Sequence, residues 1–297
     1  MMMFKMTCAL LRPCRLAGAV VLVCMSCLWV LPASSYVLEG PHVLELMTEK
    51  LGAAQTLKVE QTVVVEDTAV SAQPVELAES LSFIFPDRFR SDIRHGDTHR
   101  IHVLSQGQAL TIIDGAIADR RESSFDRYKD LMLFNRRSLL QKALYERGVD
   151  VATTSLGRMD DRVVFVIGAQ YPDISVSQVW VDKERFVPLR WINVLPAEQG
   201  TQAPQRVEFI YRNWQNLDGV WYPMLIETYH DQKPVRRIQV TKVNANAVIP
   251  AESVSIAHLF TLYQKALPQQ RPMDEPSPSD VDEVQRTIED FKKKFEP

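Results

Sequence analysis

Cysteine and glycine are scarce in this 297-residue chain, at four and 11 residues. All four cysteines, Cys8, Cys14, Cys24 and Cys27, fall near the start. The remaining chain has no thiol, which excludes cysteine nucleophiles, thiolate metal sites and a disulfide framework from it. The few glycines argue against a phosphate-cradling loop, and no P-loop, dinucleotide fingerprint, H-E-x-x-H or G-x-S-x-G pattern occurs. Only one stretch is long and apolar enough to approach a bilayer span, so a polytopic membrane protein is excluded. Charge of either sign is not in excess: 34 basic residues face 37 acidic ones. Nucleic acid and anionic membrane surfaces are therefore not partners by bulk charge.

The first segment reads as an address. Lys5, Arg12 and Arg15 precede an uncharged apolar run from Leu16 to Leu31, then Pro32, and Ala33-Ser34-Ser35 before Tyr36. That order is a secretory signal peptide over residues 1–35, cleaved on export to the periplasm. The alternative is an uncleaved anchor, against which Pro32 and the serines argue. Cys24 and Cys27 match a lipid-attachment sequence poorly. Cleavage removes three basic residues and no acid, taking the formal charge from −3 to −6.

The body of the protein, residues 36–267, alternates two rhythms. Val43, Leu44, Met47 and Leu51 form one helical stripe within residues 42–54, with Gly52 as its stop. From Leu57 the period is two, and residues 57–120 read as an antiparallel meander punctuated by Pro86-Asp87 and Asp114-Gly115. Residues 123–147 return to a helical rhythm, with Phe125, Tyr128, Leu131 and Phe134 spaced by three. Strands resume afterwards. The run Val163 to Ile167 is apolar on both faces and is expected at the centre of the sheet. Hairpins are expected about Asp182-Lys183-Glu184-Arg185 and Asp218-Gly219, with a last long strand from Val235 to Val243. No crossover helix separates these strands, so the sheet is antiparallel. Residues 256–267 form a short amphipathic helix, and residues 268–297 a proline-rich linker and terminal helix.

Catalytic chemistry has little support. His95, His99 and His102 form the densest histidine cluster, but His99 and His102 are an odd number apart on a strand and face opposite sides. The cluster reads as a solvated hairpin end, and Asp160-Asp161 as a turn. No enzyme activity, cofactor or metal is expected. What the strands supply is apolar surface. The expected fold class is α+β, a large curved antiparallel sheet, an incomplete barrel, wrapped over helices. If the helices leave part of the concave face uncovered, an apolar cavity remains; if they fill it, the core is solid. Periodicity does not choose between the two.

Three stretches resemble the outer-membrane lipoprotein-sorting family, the LolA/LolB-like group, and the related sensor domain of RseB-type envelope-stress regulators. They are Phe83-Ile84-Phe85-Pro86-Asp87-Arg88-Phe89-Arg90, the hairpin from Val179-Trp180-Val181-Asp182 to Pro188-Leu189-Arg190, and Asp218-Gly219-Val220-Trp221-Tyr222-Pro223. The resemblance spans residues 40–250. It implies a half-barrel whose apolar cavity carries lipid or lipoprotein acyl chains without covalent chemistry. The alternative it implies is an envelope sensor or interaction module docking on a membrane-bound transport or regulatory protein. The expected cavity lining is Leu81, Phe83, Phe85, Phe89, Ile93, Leu110, Ile112, Trp180 and Trp191, with Arg88 and Arg90 touching a headgroup or lid. Ordinary core is the competing role for each apolar residue. The carrier branch has an arginine directly before the strand-end proline; here that position is Phe85.

Overall fold

The computed structural model describes residues 37–66, 73–119, 122–196 and 204–264. The expected signal peptide over residues 1–35 with all four cysteines, Arg120 and Arg121, and the tail from residue 265 lie outside the described residues.

The first helix, α1 (Gly40–Leu51), buries the expected stripe of Val43, Leu44, Met47 and Leu51. Six strands follow: β1 (Thr56–Val65), β2 (Val75–Ile84), β3 (Arg88–His95), β4 (Thr98–Ser105), β5 (Gln108–Ile113) and β6 (Ala116–Asp119). A 3-10 helix (Ser124–Lys129) continues into α2 (Asp130–Leu133), and α3 (Arg137–Glu146) comes next. A spacing of three is the repeat of a 3-10 helix, which explains why the first half of this insertion is wound that way. Seven more strands complete the sheet: β7 (Thr154–Met159), β8 (Arg162–Ile167), β9 (Gln178–Asp182), β10 (Pro188–Leu195), β11 (Gln205–Leu217), β12 (Val220–His230) and β13 (Lys233–Ala245). A 3-10 turn (Ala251–Val254) and α4 (Ile256–Gln264) end the described chain.

Among the described residues, the thirteen strands form one antiparallel sheet, in the order β6-β5-β4-β3-β2-β1-β13-β12-β11-β10-β9-β8-β7. Two meanders are thus joined by the pairing of β1 with β13, in which Leu57 faces Ala245. The sheet is open, with β6 and β7 at its edges. The helical insertion runs from one edge strand to the other. Asp114 and Gly115 both have positive φ, 50° and 85°, as the tight turn between β5 and β6 requires.

The main core lies between the inner face of the sheet and the helices α1, α2 and α3 with their 3-10 turn. Two smaller cores lie on the outer face. One is Ile101, Val103, Leu110 and Ile112 under Val254 and Leu259. The other is Val164, Val166, Trp180, Val187 and Leu189. These outer cores correct one expectation. β8 is apolar on both faces not because it is central but because Phe165 and Ile167 face the main core and Val164 and Val166 an outer one; it stands next to the edge. Among the described residues no helix is long and apolar enough to cross a membrane.

Candidate functional site

The inner wall is not uniformly apolar. At neighbouring positions across β1 to β5 stands a polar row: Gln61, Glu79, Ser91, His102 and Thr111. Gln61 is paired with Glu79 across the strands and donates to it over 2.6 Å. Ser91 Oγ also donates to Glu79, and His102 Nδ1 lies 2.9 Å from Thr111 Oγ1. The insertion meets this row with matching groups. Gln61 donates to the Tyr128 hydroxyl at 3.0 Å, and Asp126 accepts from Arg100 at 2.5 Å with Arg236 at 3.5 Å. Lys129, fully buried, pairs with Glu122 and, at 3.1 Å, with Asp130.

Burial sets the protonation of these groups, and partners modify it. Burial raises the Glu79 carboxyl above its usual range, partly offset by its bonds from Ser91 and Gln61. Burial lowers His102 to about 4. Burial works against the Asp126 carboxylate, but Arg100, His102 and Arg236 outweigh it and hold its pKa well below normal. Burial likewise opposes the Lys129 ammonium, and Asp130 and Glu122 overcome it and raise the pKa. The bonds from Gln61 to Tyr128 and from Arg100 to Asp126 tie the insertion to one half of the sheet, while Gln61 Oε1 and His102 Nε2 are buried without a hydrogen-bond partner.

The expected lining residues separate by face. Leu81, Phe83, Phe89, Ile93 and Trp191 lie in the main core. Phe83 meets Phe89 edge-on at 5.0 Å and stacks on Phe85 at 5.9 Å, while Trp191 packs on Phe209 at 5.5 Å. Leu110, Ile112 and Trp180 sit instead on the outer face, the first two beneath α4 and the third under Arg190, 4.6 Å away. Arg88 and Arg90 also belong to the outer face. Arg90 forks onto Asp92 at 2.6 and 2.7 Å and donates to the Ser253 carbonyl at 2.9 Å, fastening the turn before α4. Of the histidines, His95 is exposed and His99 rests on Asp92 at 3.2 Å. His102 is wholly buried, so the solvated hairpin end holds for one residue of the cluster and fails for His102.

Two grooves open where the sheet meets the insertion. The larger, about 980 Å³, lies between the β4–β5 turn, α3 and α4. Its walls include Leu104, Ala109, Leu110, Phe134, Ala143 and Ile256, with Glu122, Arg127 and Arg147 at its polar end. The smaller, about 600 Å³, lies between the end of α1, Phe85-Pro86 and Asn135-Arg136. Both flank the Phe134–Arg136 connection at the β2–β3 and β4–β5 turn end of the sheet. Of the expected lining, only Phe85 and Leu110 border these two grooves; the rest of their walls comes from other strand and turn residues, such as Leu104 and Ala109, and from helices that strand periodicity does not reach.

No family model and no curated protein matches the sequence. Solved structures do. LolA superfamily protein NE2245 from Nitrosomonas europaea is 12% identical with a TM-score of 0.51, over 75% of this chain and 100% of that one. A domain from Vibrio parahaemolyticus assigned to outer membrane lipoprotein sorting is 11% identical, with a TM-score of 0.49 over 74% and 97%. A DUF1329 family protein from Desulfovibrio piger is 12% identical, with a TM-score of 0.49 over 74% and 97%. The likeness to the Nitrosomonas protein establishes a shared fold, the one the three sequence stretches had suggested.

Proposed function

We propose that this protein is an exported, non-enzymatic binder or carrier that shields acyl chains of lipids or lipoproteins from water in the periplasm. In this reading residues 1–35 are the cleaved export signal and residues 268–297 an appended tail. The observation that carries it is the 980 Å³ groove, which puts an apolar wall of sheet and helix residues beside solvent at the rim of an open sheet. A chain laid there gains about 0.8 kcal/mol for each methylene removed from water. Binding sites of this volume are commonly mostly apolar with a few placed polar groups. The inner residues Phe83, Phe89 and Trp191 are at most 1% exposed. A bound chain reaches them only when the insertion shifts, so the groove is the point of entry.

Blocking the groove tests the reading. Ala257→Trp places a bulky ring on the α4 wall of the groove at an exposed position. The expected result is at least a roughly tenfold weaker binding of a fluorescent acyl probe, with an unchanged melting curve. Undiminished probe binding by this folded variant contradicts the groove as the site.

A further inference from the structure

The groove's polar end has an imbalance of charge. Glu122 and Asp130 are its two buried carboxylates, and two cations already share them. Lys129 pairs with both, and Arg147 Nη2 lies 3.5 Å from Glu122 and 3.4 Å from Asp130. Glu122 is also 4.0 Å from His102. Glu146, on the opposite lip, sits 3.9 Å from Lys142 in solvent. Arg127 is the third cation of this end. It projects from the 3-10 helix into the groove wall, half-buried. Among the described residues its guanidinium has no carboxylate within 4 Å and no hydrogen bond, and its Nε is shut off from solvent without a partner.

Such a cation is held at a penalty. Burial, followed by repulsion from Arg147, draws the Arg127 pKa down, and the more distant Glu122 and Asp130 offset this only in part. An anion arriving at the guanidinium removes that penalty and gains charge-assisted hydrogen bonds. The adjoining walls, Leu104, Ala109, Phe134, Ala143 and Ile256, offer no further charge. The site thus has a polar end, at which Arg127 lacks a carboxylate partner, beside a wall of apolar residues.

We propose that the groove selects acyl chains with an anionic headgroup, and that Arg127 is the headgroup anchor. This rests on the acyl-binding reading above and names its ligand class. The orientation follows: headgroup at Arg127 between the insertion and the β4–β5 turn, chain toward Phe134 and Ile256.

The test compares two lysophospholipids with the same acyl chain, lysophosphatidylglycerol and lysophosphatidylcholine, below their micelle concentrations. Full-length wild type is expected to prefer the anionic one by roughly tenfold or more, the range of a charged hydrogen-bonded contact. Arg127→Gln is expected to abolish the preference by weakening the anionic lipid alone. Arg127→Lys keeps the charge and retains most of the preference, and Arg94→Gln, an exposed arginine elsewhere, changes nothing. Equal binding of the two lipids by wild type, or a preference that survives Arg127→Gln, overturns the proposal and leaves acyl binding intact. Inorganic phosphate binding as tightly as the anionic lipid also overturns it, since the site is then for anions alone. Failure of both lipids to bind overturns the acyl reading itself.

Discussion

At the scale of single residues, the concave wall joins oil and charge. The row from Gln61 to Thr111 is buried, and the 3-10 helix meets it through Tyr128, which accepts from Gln61, and Asp126, which accepts from the neighbouring Arg100. Where paired, such a network favours one docking of the insertion; the buried Gln61 Oε1 and His102 Nε2 have no hydrogen-bond partner and lower that gain. His102 gives this a measurable sign. Its folded pKa is about 4 against 6.5 for the free side chain. Its facing groups divide: Asp126 and Glu122 favour the proton, and Arg100 and Lys129 oppose it. The folded state therefore refuses a proton that the unfolded chain accepts. This contribution is fully present above pH 6.5, falls as the pH drops toward 4, and levels off below. At most it is on the order of 3 kcal/mol. His102→Gln removes it. Urea midpoints measured from pH 7 to 4 should then fall less steeply in the variant than in wild type. Parallel slopes would show that His102 takes no part in the acid response. The sequence did not reveal this role. Spacing correctly set His99 and His102 on opposite faces, but no pattern in one strand tells which face will be covered.

The same ambiguity recurs at the scale of elements. Strand positions, hairpin turns, the mid-chain helices and antiparallel pairing were legible because alternation and Asp-Gly turns are local signals. The face of each strand was not legible where both faces are buried. β4 reads as five consecutive buried residues from Arg100 to Leu104, and every residue of β9 is buried. Hence Leu110, Ile112 and Trp180 were expected on the inner wall and lie on the outer one. The element that decides this for β4 and β5 is α4, which carries Leu259 onto Ile101, Val103, Leu110 and Ile112. That helix also supplies Ile256 to the large groove, so its docking shapes the site. Leu259→Ala removes a side chain that is 3% exposed and should cost about 2–4 kcal/mol of local docking energy. Hydrogen exchange should then quicken across residues 256–264 and along β5 while β1 and β2, at the seam of the main core, stay protected. Uniform acceleration through the whole sheet would mean that α4 is integral to the main fold and not a separate cover.

At the scale of the whole molecule, topology explains why a groove exists at all. Two meanders meet at the β1–β13 seam, which leaves β6 and β7 as distant ends of one bent sheet. The chain between those ends crosses the concave side as helices. A helical plug over a curved wall seals its middle, where Phe83, Leu131 and Ile226 are buried, and fits less closely at the rim. The sequence stretches around residues 83–90 and 179–190 pointed to this architecture, and they could not place the grooves. A groove is a mismatch between surfaces from distant parts of the chain, and strand periodicity records neither surface. In the acyl-binding reading, this mismatch holds the chain. Native mass spectrometry of the full-length protein, isolated from its own envelope without detergent, tests this most directly. The predicted spectrum contains a stoichiometric adduct that fragments to an acyl lipid and is lost in Ala257→Trp. A spectrum of bare protein from the same preparation, unchanged after incubation with acyl lipids, would contradict it.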